Sequence, residues 1–255
     1  MPPVVVRLVV PVVIRDPSLS SCGLVVRWRT GWCALWPMAS HPASPSQDTV
    51  QHARGGGWGT FLAAAIRSPR DVGTLLPSGP ELAQRLAAVV PRASPPGRPA
   101  VVVEVGAGAG AVTGAIAEQA DQDAVVIAIE KDARLAEGLR SRQLGVRVVT
   151  ADAATLPAIL AAHGVDRADV IVSVLPWTLF GPQQQRELLT VFAAALQTDG
   201  VFTAAAYSLG YWTSPARRFR CELERTFGEV LPTRTMWRHL PPAMTYVCRR
   251  PGGVP

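Results

Sequence analysis

Val101-Val102-Val103-Glu104-Val105 runs without a break into Gly106-Ala107-Gly108-Ala109-Gly110, and this junction organises the chain that follows. Four valines in five residues predict a strand buried on both faces. Glycine at every second position then predicts a tight turn, and Ala111 to Gln119 has helix-forming composition. Strand, glycine turn and helix in that order let the backbone approach a ligand that a Cβ would push away. The helix N-terminus adds unpaired N–H groups. Glu104 narrows the ligand class. A turn built for a pyrophosphate gains nothing from a neighbouring carboxylate, whereas a ligand carrying a cationic amine and a sulfonium does.

From Val101 onward strand and helix patterns alternate, which predicts a parallel sheet covered on both faces. Val125 to Glu130 is a buried strand ending in an acid. Ligands of such sheets bind beyond the carboxyl ends of the strands, so Glu130 is expected beside the glycine turn, where it can accept both hydroxyls of a ribose. Gly145 to Thr150 is a third strand, closed by Ala151-Asp152-Ala153. Asp152 can accept from an adenine amine, the alanines leave room for the ring, and the same acid can cap a helix over Ala154 to Ala162. Asp169 to Ser173 is a fourth strand leading into Val174-Leu175-Pro176-Trp177. Ser173 and the Leu175 carbonyl are candidates for holding an acceptor amine, with Pro176 fixing the turn. Trp177 either holds a cationic amine or base on its ring, or plugs the end of the core.

Gln183 to Gln197 reads as an amphipathic helix, stopped by Asp199-Gly200 before a fifth strand, Val201 to Tyr207. Ser214-Pro215 opens a helix carrying Arg217, Arg218 and Arg220, which either bind a substrate phosphate or form a solvated face. Glu229 to Trp237, a turn at His239 to Pro242, and Met244 to Arg249 predict a terminal antiparallel hairpin.

Upstream of the sheet, residues 1–53 are expected to lie outside the fold. Val4 to Ile14 is apolar but broken by Arg7 and Pro11 and too short to span a bilayer. Met38-Ala-Ser opens a Ser/Pro/Gln segment that resembles an ordinary flexible start, so the residues before it read as upstream sequence from a mis-assigned start. Residues 54–99 form an N-terminal helical region. In it Trp58, Phe61, Leu62, Ala65 and Ile66 share one helical face, flanked by Arg54, Arg67 and Arg70. That helix either packs on the core or lies in a lipid interface with its arginines on phosphates. Ser78 with Glu81 reads as a capping box opening a second helix, Pro80 to about Val90. Residues 100–250 then form the main domain.

Composition supports a globular enzyme. Hydrophobic residues make up 48% of the chain, the net charge is +6, and Lys131 is the only lysine among 25 basic residues. The basic balance favours anionic partners: lipid headgroups, nucleic acid or phosphorylated small molecules. Cys22, Cys33, Cys221 and Cys248 are scattered without a C-x-x-C pair or a histidine at metal-ligand spacing. They read as free thiols of a cytoplasmic protein, and no metal is expected.

Glu104-x-Gly106-x-Gly108-x-Gly110 resembles the first motif of class I S-adenosylmethionine (SAM) methyltransferases. The run from Phe61 to Arg250 is similar to the bacterial phospholipid N-methyltransferases. The likeness is carried by Val72-Gly73…Leu76-Pro77-Ser78-Gly79, Val103 to Gly108, Ile129-Glu130, Asp152-Ala153, Ser173 to Pro176 and Trp237-Arg238…Leu240-Pro241-Pro242-Ala243. It implies a Rossmann-like α/β fold: a seven-stranded, mostly parallel sheet ending in an antiparallel hairpin, with N-terminal helices. It implies SAM contacts at Gly106, Gly108, Glu130 and Asp152; Ser78, Glu104, Ala107, Lys131, Ala153 and Ser173 complete the expected cofactor site, and Ser173, Pro176 and Trp177 are the expected catalytic residues. A more distant likeness to ribosomal RNA adenine dimethyltransferases departs where those enzymes carry Asn-x-Pro-aromatic and this chain carries Ser173-Val174-Leu175-Pro176-Trp177.

The expected activity is SAM-dependent N-methylation of a phospholipid headgroup amine of the phosphatidylethanolamine type. It would act at an anionic or zwitterionic membrane surface, on the inner face. RNA adenine N6-methylation and small-molecule methylation are the enzymatic alternatives, and SAM binding without turnover is the non-enzymatic one. A dinucleotide oxidoreductase fits Gly106, Gly108 and Ala111 formally. Glu104, Leu175-Pro176 and the terminal hairpin argue against it.

Overall fold

The computed structural model describes residues 79–207, 213–239 and 241–252. Residues 1–53, the helix expected around Trp58 and Phe61, and Ser78 lie outside the described residues. Seven strands form one sheet in the order β3-β2-β1-β4-β5-β7-β6. They are β1 Val101–Val105, β2 Val125–Glu130, β3 Arg147–Thr150, β4 Ala168–Ser173, β5 Leu196–Tyr207, β6 Phe227–Pro232 and β7 Ala243–Pro251. β3, β2, β1, β4 and β5 run parallel, and β7 lies antiparallel between β5 and β6. The expected seven-stranded sheet with an antiparallel end is the observed one.

Every residue of β1 is buried, as a central strand of a two-face sheet requires. Alternation along the strand divides its side chains between two cores. Val101, Val103 and Val105 join the core under α4 (Leu156–Ala162), α5 (Pro182–Ala195) and α6 (Ser214–Thr226). Val102 joins the opposite core under α1 (Pro80–Ala87) and α2 (Ala111–Gln119). Leu139 of α3 (Ala133–Arg140) packs with Ala107 and Ala128. Glu104, two residues from Val102, therefore shares the α2 face. Among the described residues no helix is long and apolar enough to cross a membrane.

The polarity of the strands places the site. Chain order runs outward from β1 through β2 to β3, then restarts on its other side with β4, so the switch point lies between β1 and β4. Val105 pairs with both Ile129 and Ser173, and Glu130 pairs with Thr150, which brings the ends of all four strands to one edge. β6 runs in the direction of β5, since both oppose β7, so the connection after Pro232 returns to that same edge.

Several boundaries differ from expectation. α1 has Gly79 as its N-cap with no side-chain bond, Pro80 follows in the first turn, and Glu81 pairs with Arg85; the capping box expected with Ser78 falls outside the described residues. α5 ends at Ala195 because Leu196 already pairs with Ala168. The ladder then shifts to Val170 opposite Val201, so Asp199-Gly200 sits in a bulge within β5 rather than ahead of it. β6 stops at Pro232, short of the expected Trp237; beyond it the Thr233–Thr245 hydrogen bond and the Met236–Ala243 bridge continue the contact with β7. The Ser94–Pro99 linker is tied down by Arg98, whose guanidinium meets both Asp169 carboxylate oxygens at 2.6 and 2.8 Å.

Candidate active site

Gly106 and Gly108 hold positive φ angles of 79° and 55°. A Cβ on Gly106 would stand 2.9 Å from Leu175 Cδ2, so glycine is what lets the turn after β4 close against the turn after β1. A Cβ on Gly108 would meet nothing within 4 Å, so the space above that residue is open. The turn is pinned from below by the Gly106 and Ala107 N–H groups, which donate to the Ile129 carbonyl at 2.9 and 3.2 Å. Gly110 caps α2 without a side-chain oxygen, so that helix N-terminus is left to other acceptors.

Glu104 is fully buried. Its Oε2 accepts from the Thr113 hydroxyl at 2.5 Å, and its Oε1 has no partner among the described residues. Burial pushes its carboxyl up to about 8, against the Thr113 bond, and the charge of Glu130 adds to the rise. A buried acceptor left unsatisfied beside a glycine turn is costly unless something supplies a donor or a positive charge. That orphaned oxygen suits a ligand with a cationic amine.

Glu130 stands where it was expected. Its Oε2 accepts from the Gly108 N–H at 2.8 Å and its Oε1 from the Asp132 N–H at 2.9 Å, so both oxygens are oriented while lone pairs remain for hydroxyl donors. Asp152 takes the Ala154 N–H at 3.0 Å on one oxygen and the Lys131 ammonium at 2.9 Å on the other. Those two bonds, the backbone one foremost, hold its carboxyl below the usual range. Its cap serves the short turn Ala153–Thr155, one turn ahead of α4. Lys131 is thereby directed to Asp152, and Ala153 is half-buried beside it.

The turn after β4 decides between the two expectations for Trp177, in favour of the core. Trp177, weighed as a residue that meets the substrate, is 3% exposed. Its ring stacks on Phe219 at 4.5 Å and meets Phe180, Phe192 and Phe202 edge-on at 5.7, 6.1 and 6.2 Å. The indole is the hub of an aromatic core, and burying it among four rings outweighs presenting it to a ligand. The turn itself is well specified. Pro176 has φ −79° and ψ 69°, an inverse γ-turn, and the Trp177 N–H donates to the Leu175 carbonyl at 2.9 Å. The indole N–H donates to the buried Ser173 Oγ at 3.0 Å, and Gln185 on α5 donates to the Trp177 carbonyl at 2.6 Å. Thr113 and Gln185, each bonded to a site element, carried no signal in the sequence: neither belongs to a motif, and only the helix packing brings them in.

On α6 the acids are taken by some arginines and not others. Arg220 pairs with Glu224, and Glu222 pairs with Arg225 and Arg186. The Arg218 Nε is buried without a partner, and no ion pair holds Arg217 among the described residues. The helix packs on the Trp177–Leu179 turn through Phe219, one residue along from Arg218.

Comparison with known proteins separates the likenesses. The chain is 32% identical to the ornithine lipid N-methyltransferase of Singulisphaera acidiphila over 192 residues, covering 74% of this chain and 94% of that one. A family profile described as the TrkA-N domain matches residues 106–206, which leaves out Glu104 and the antiparallel pair β6–β7. Among solved structures, the N-methyltransferase NodS from Bradyrhizobium japonicum matches with a TM-score of 0.51 at 13% identity, over 67% of this chain and 95% of that one. Spermidine synthase from Thermotoga maritima gives 0.51 at 17% identity, over 69% and 60%. At such identities the two structures share the fold.

Proposed function

The chain belongs to the family of class I SAM-dependent methyltransferases that holds the Singulisphaera lipid enzyme, and we propose that it methylates the amine of a lipid headgroup, of the phosphatidylethanolamine type, at a membrane surface. The single observation behind the choice of a lipid acceptor is that relative, which aligns along 94% of its own length. The site supports the chemistry. SAM, when bound, supplies the methyl group. Glu104 would hold its ammonium through the orphaned Oε1, Glu130 its ribose hydroxyls and Asp152 its adenine amine. Ser173, Pro176 and the Leu175 carbonyl shape the ground where the acceptor amine lies, and Trp177 acts on it through the Ser173 hydroxyl.

Transfer to nitrogen needs an unprotonated amine held in line with the leaving sulfur. Lys131 is engaged by Asp152, His163 by the Ile159 carbonyl, and His239 through both ring nitrogens. Among the described residues none of these three is placed to take a proton, and in this reading the amine arrives neutral while the chain contributes orientation and exclusion of water. Arg217 and Arg218, without acid partners among the described residues, suit the anionic group that a zwitterionic headgroup carries next to its amine. In this reading residues 100–250 are the catalytic domain.

Purified protein with labelled SAM, offered phosphatidylethanolamine vesicles, ornithine-lipid vesicles and unmodified ribosomal RNA in parallel, tests the reading. Label in the phosphatidylethanolamine supports it as stated. Label confined to ornithine lipid corrects the headgroup, and label in RNA overturns the lipid acceptor.

A further inference from the structure

Trp237 is 76% exposed, on the connection between β6 and β7. Nothing in the site described above uses it. Arg234 and Arg238 flank it, both are exposed, and neither guanidinium has an acid partner among the described residues. The connection carrying them is braced. The Thr233 N–H donates to the Thr245 carbonyl at 2.8 Å and the Met236 N–H to the Ala243 carbonyl at 2.7 Å. His239 Nδ1 bonds the Pro241 carbonyl at 2.7 Å, its Nε2 accepts from the Gly79 N–H at 3.2 Å, and Arg85 donates to the Arg234 carbonyl at 3.3 Å. A large indole is therefore held out to water by a fixed turn, although the core a few residues away buries rings of the same kind.

The topology says which way the turn faces. β6 is parallel to β5, so residues 233–242 lie at the carboxyl edge of the sheet, the edge that carries the glycine turn, Glu130 and Ser173. An indole with an apolar body and one N–H, set between two unpaired guanidiniums, matches the chemistry of a bilayer's headgroup layer. The ring sits at the level of the glycerol and the arginines meet phosphates.

We propose that Trp237, with Arg234 and Arg238, is a membrane-docking surface that sets the carboxyl edge of the sheet against an anionic phospholipid bilayer. This rests on the lipid reading of the acceptor. It adds the surface that brings that acceptor to the site, made of residues other than those of the amphipathic helix expected around Trp58.

The test uses the full chain and vesicles of phosphatidylcholine with and without phosphatidylglycerol, read by co-sedimentation and by quenching from lipids brominated in their acyl chains. The native protein binds the anionic vesicles. Trp237→Ser and the pair Arg234→Gln, Arg238→Gln each weaken that binding by about tenfold or more. Trp237→Phe keeps most of the binding but loses part of the bromine quenching. SAM affinity, measured in the same preparations, stays unchanged in all variants and shows that they are folded. Vesicle binding equal to native in Trp237→Ser overturns the proposal, as does a native protein that ignores both vesicles. The two readings fail separately. Methyl transfer to RNA alone, with Trp237-dependent vesicle binding intact, removes the lipid acceptor and leaves the docking surface. Lipid methylation that is indifferent to Trp237 does the reverse.

Discussion

Glu104 shows how one side chain carries both stability and ligand choice. Its carboxyl titrates near 8 in the fold, because burial disfavours the charge, and near 4.5 as a free group. Between those values the folded chain holds a proton that the unfolded chain has released. The unfolded state therefore binds fewer protons, and stability falls as pH rises through that window. Glu104→Gln, which cannot ionise, is expected to melt above the native protein by a margin that grows from pH 5 to pH 8 in the absence of ligand. A margin that stays flat over that range would show that Glu104 is already charged in the fold. Glu130 is the second residue with a sharp expectation. Glu130→Ala removes the acceptor for hydroxyl donors and also frees the Gly108 N–H. SAM affinity should fall by roughly 1.5–3 kcal/mol, read by calorimetry, and unchanged affinity would displace the ribose site.

Elements act here through what they press together. The turn after β4 is fastened by Val105, Ser173, Gln185 and the aromatic core at once. Trp177→Ala should therefore cost roughly 3–5 kcal/mol of stability, measured by denaturant unfolding. Trp177→Phe should keep more of that stability while releasing the Ser173 hydroxyl, and would show a raised KM for the acceptor at an unchanged affinity for SAM. For α6, Arg218→Gln leaves the ion pairs of Glu222 and Glu224 intact. It is expected to raise KM for the lipid severalfold with little change in kcat; equal kinetics would return this arginine to an ordinary surface role.

At the scale of the molecule, the strand order decides that one edge collects the glycine turn, Glu130, Asp152, Ser173, the start of α6 and the exposed turn bearing Trp237. The proposed cofactor site, acceptor ground and docking surface thus share an edge by topology alone. The expectation that residues 1–53 stand outside the fold belongs to this scale too. A chain beginning at residue 54 should bind SAM with the affinity of the full chain, and a loss of binding would make the N-terminal stretch part of the fold.

The sequence by itself determined the sheet, its parallel core and antiparallel end, the glycine turn, and acids at the ends of β1, β2 and β3. Each of these is written in a local pattern: valine runs, glycine spacing, an acid closing a strand. It left open whether Trp177 faces ligand or core, and it had no sign of Thr113, Gln185 or the His239–Gly79 contact. The residues of that last contact are 160 positions apart. Those were decided only by tertiary structure, because the burial of a side chain depends on which distant element covers it. Three phenylalanines from three other elements converge on Trp177 and, with Phe180 of its own turn, bury it, while the fold leaves Trp237 uncovered.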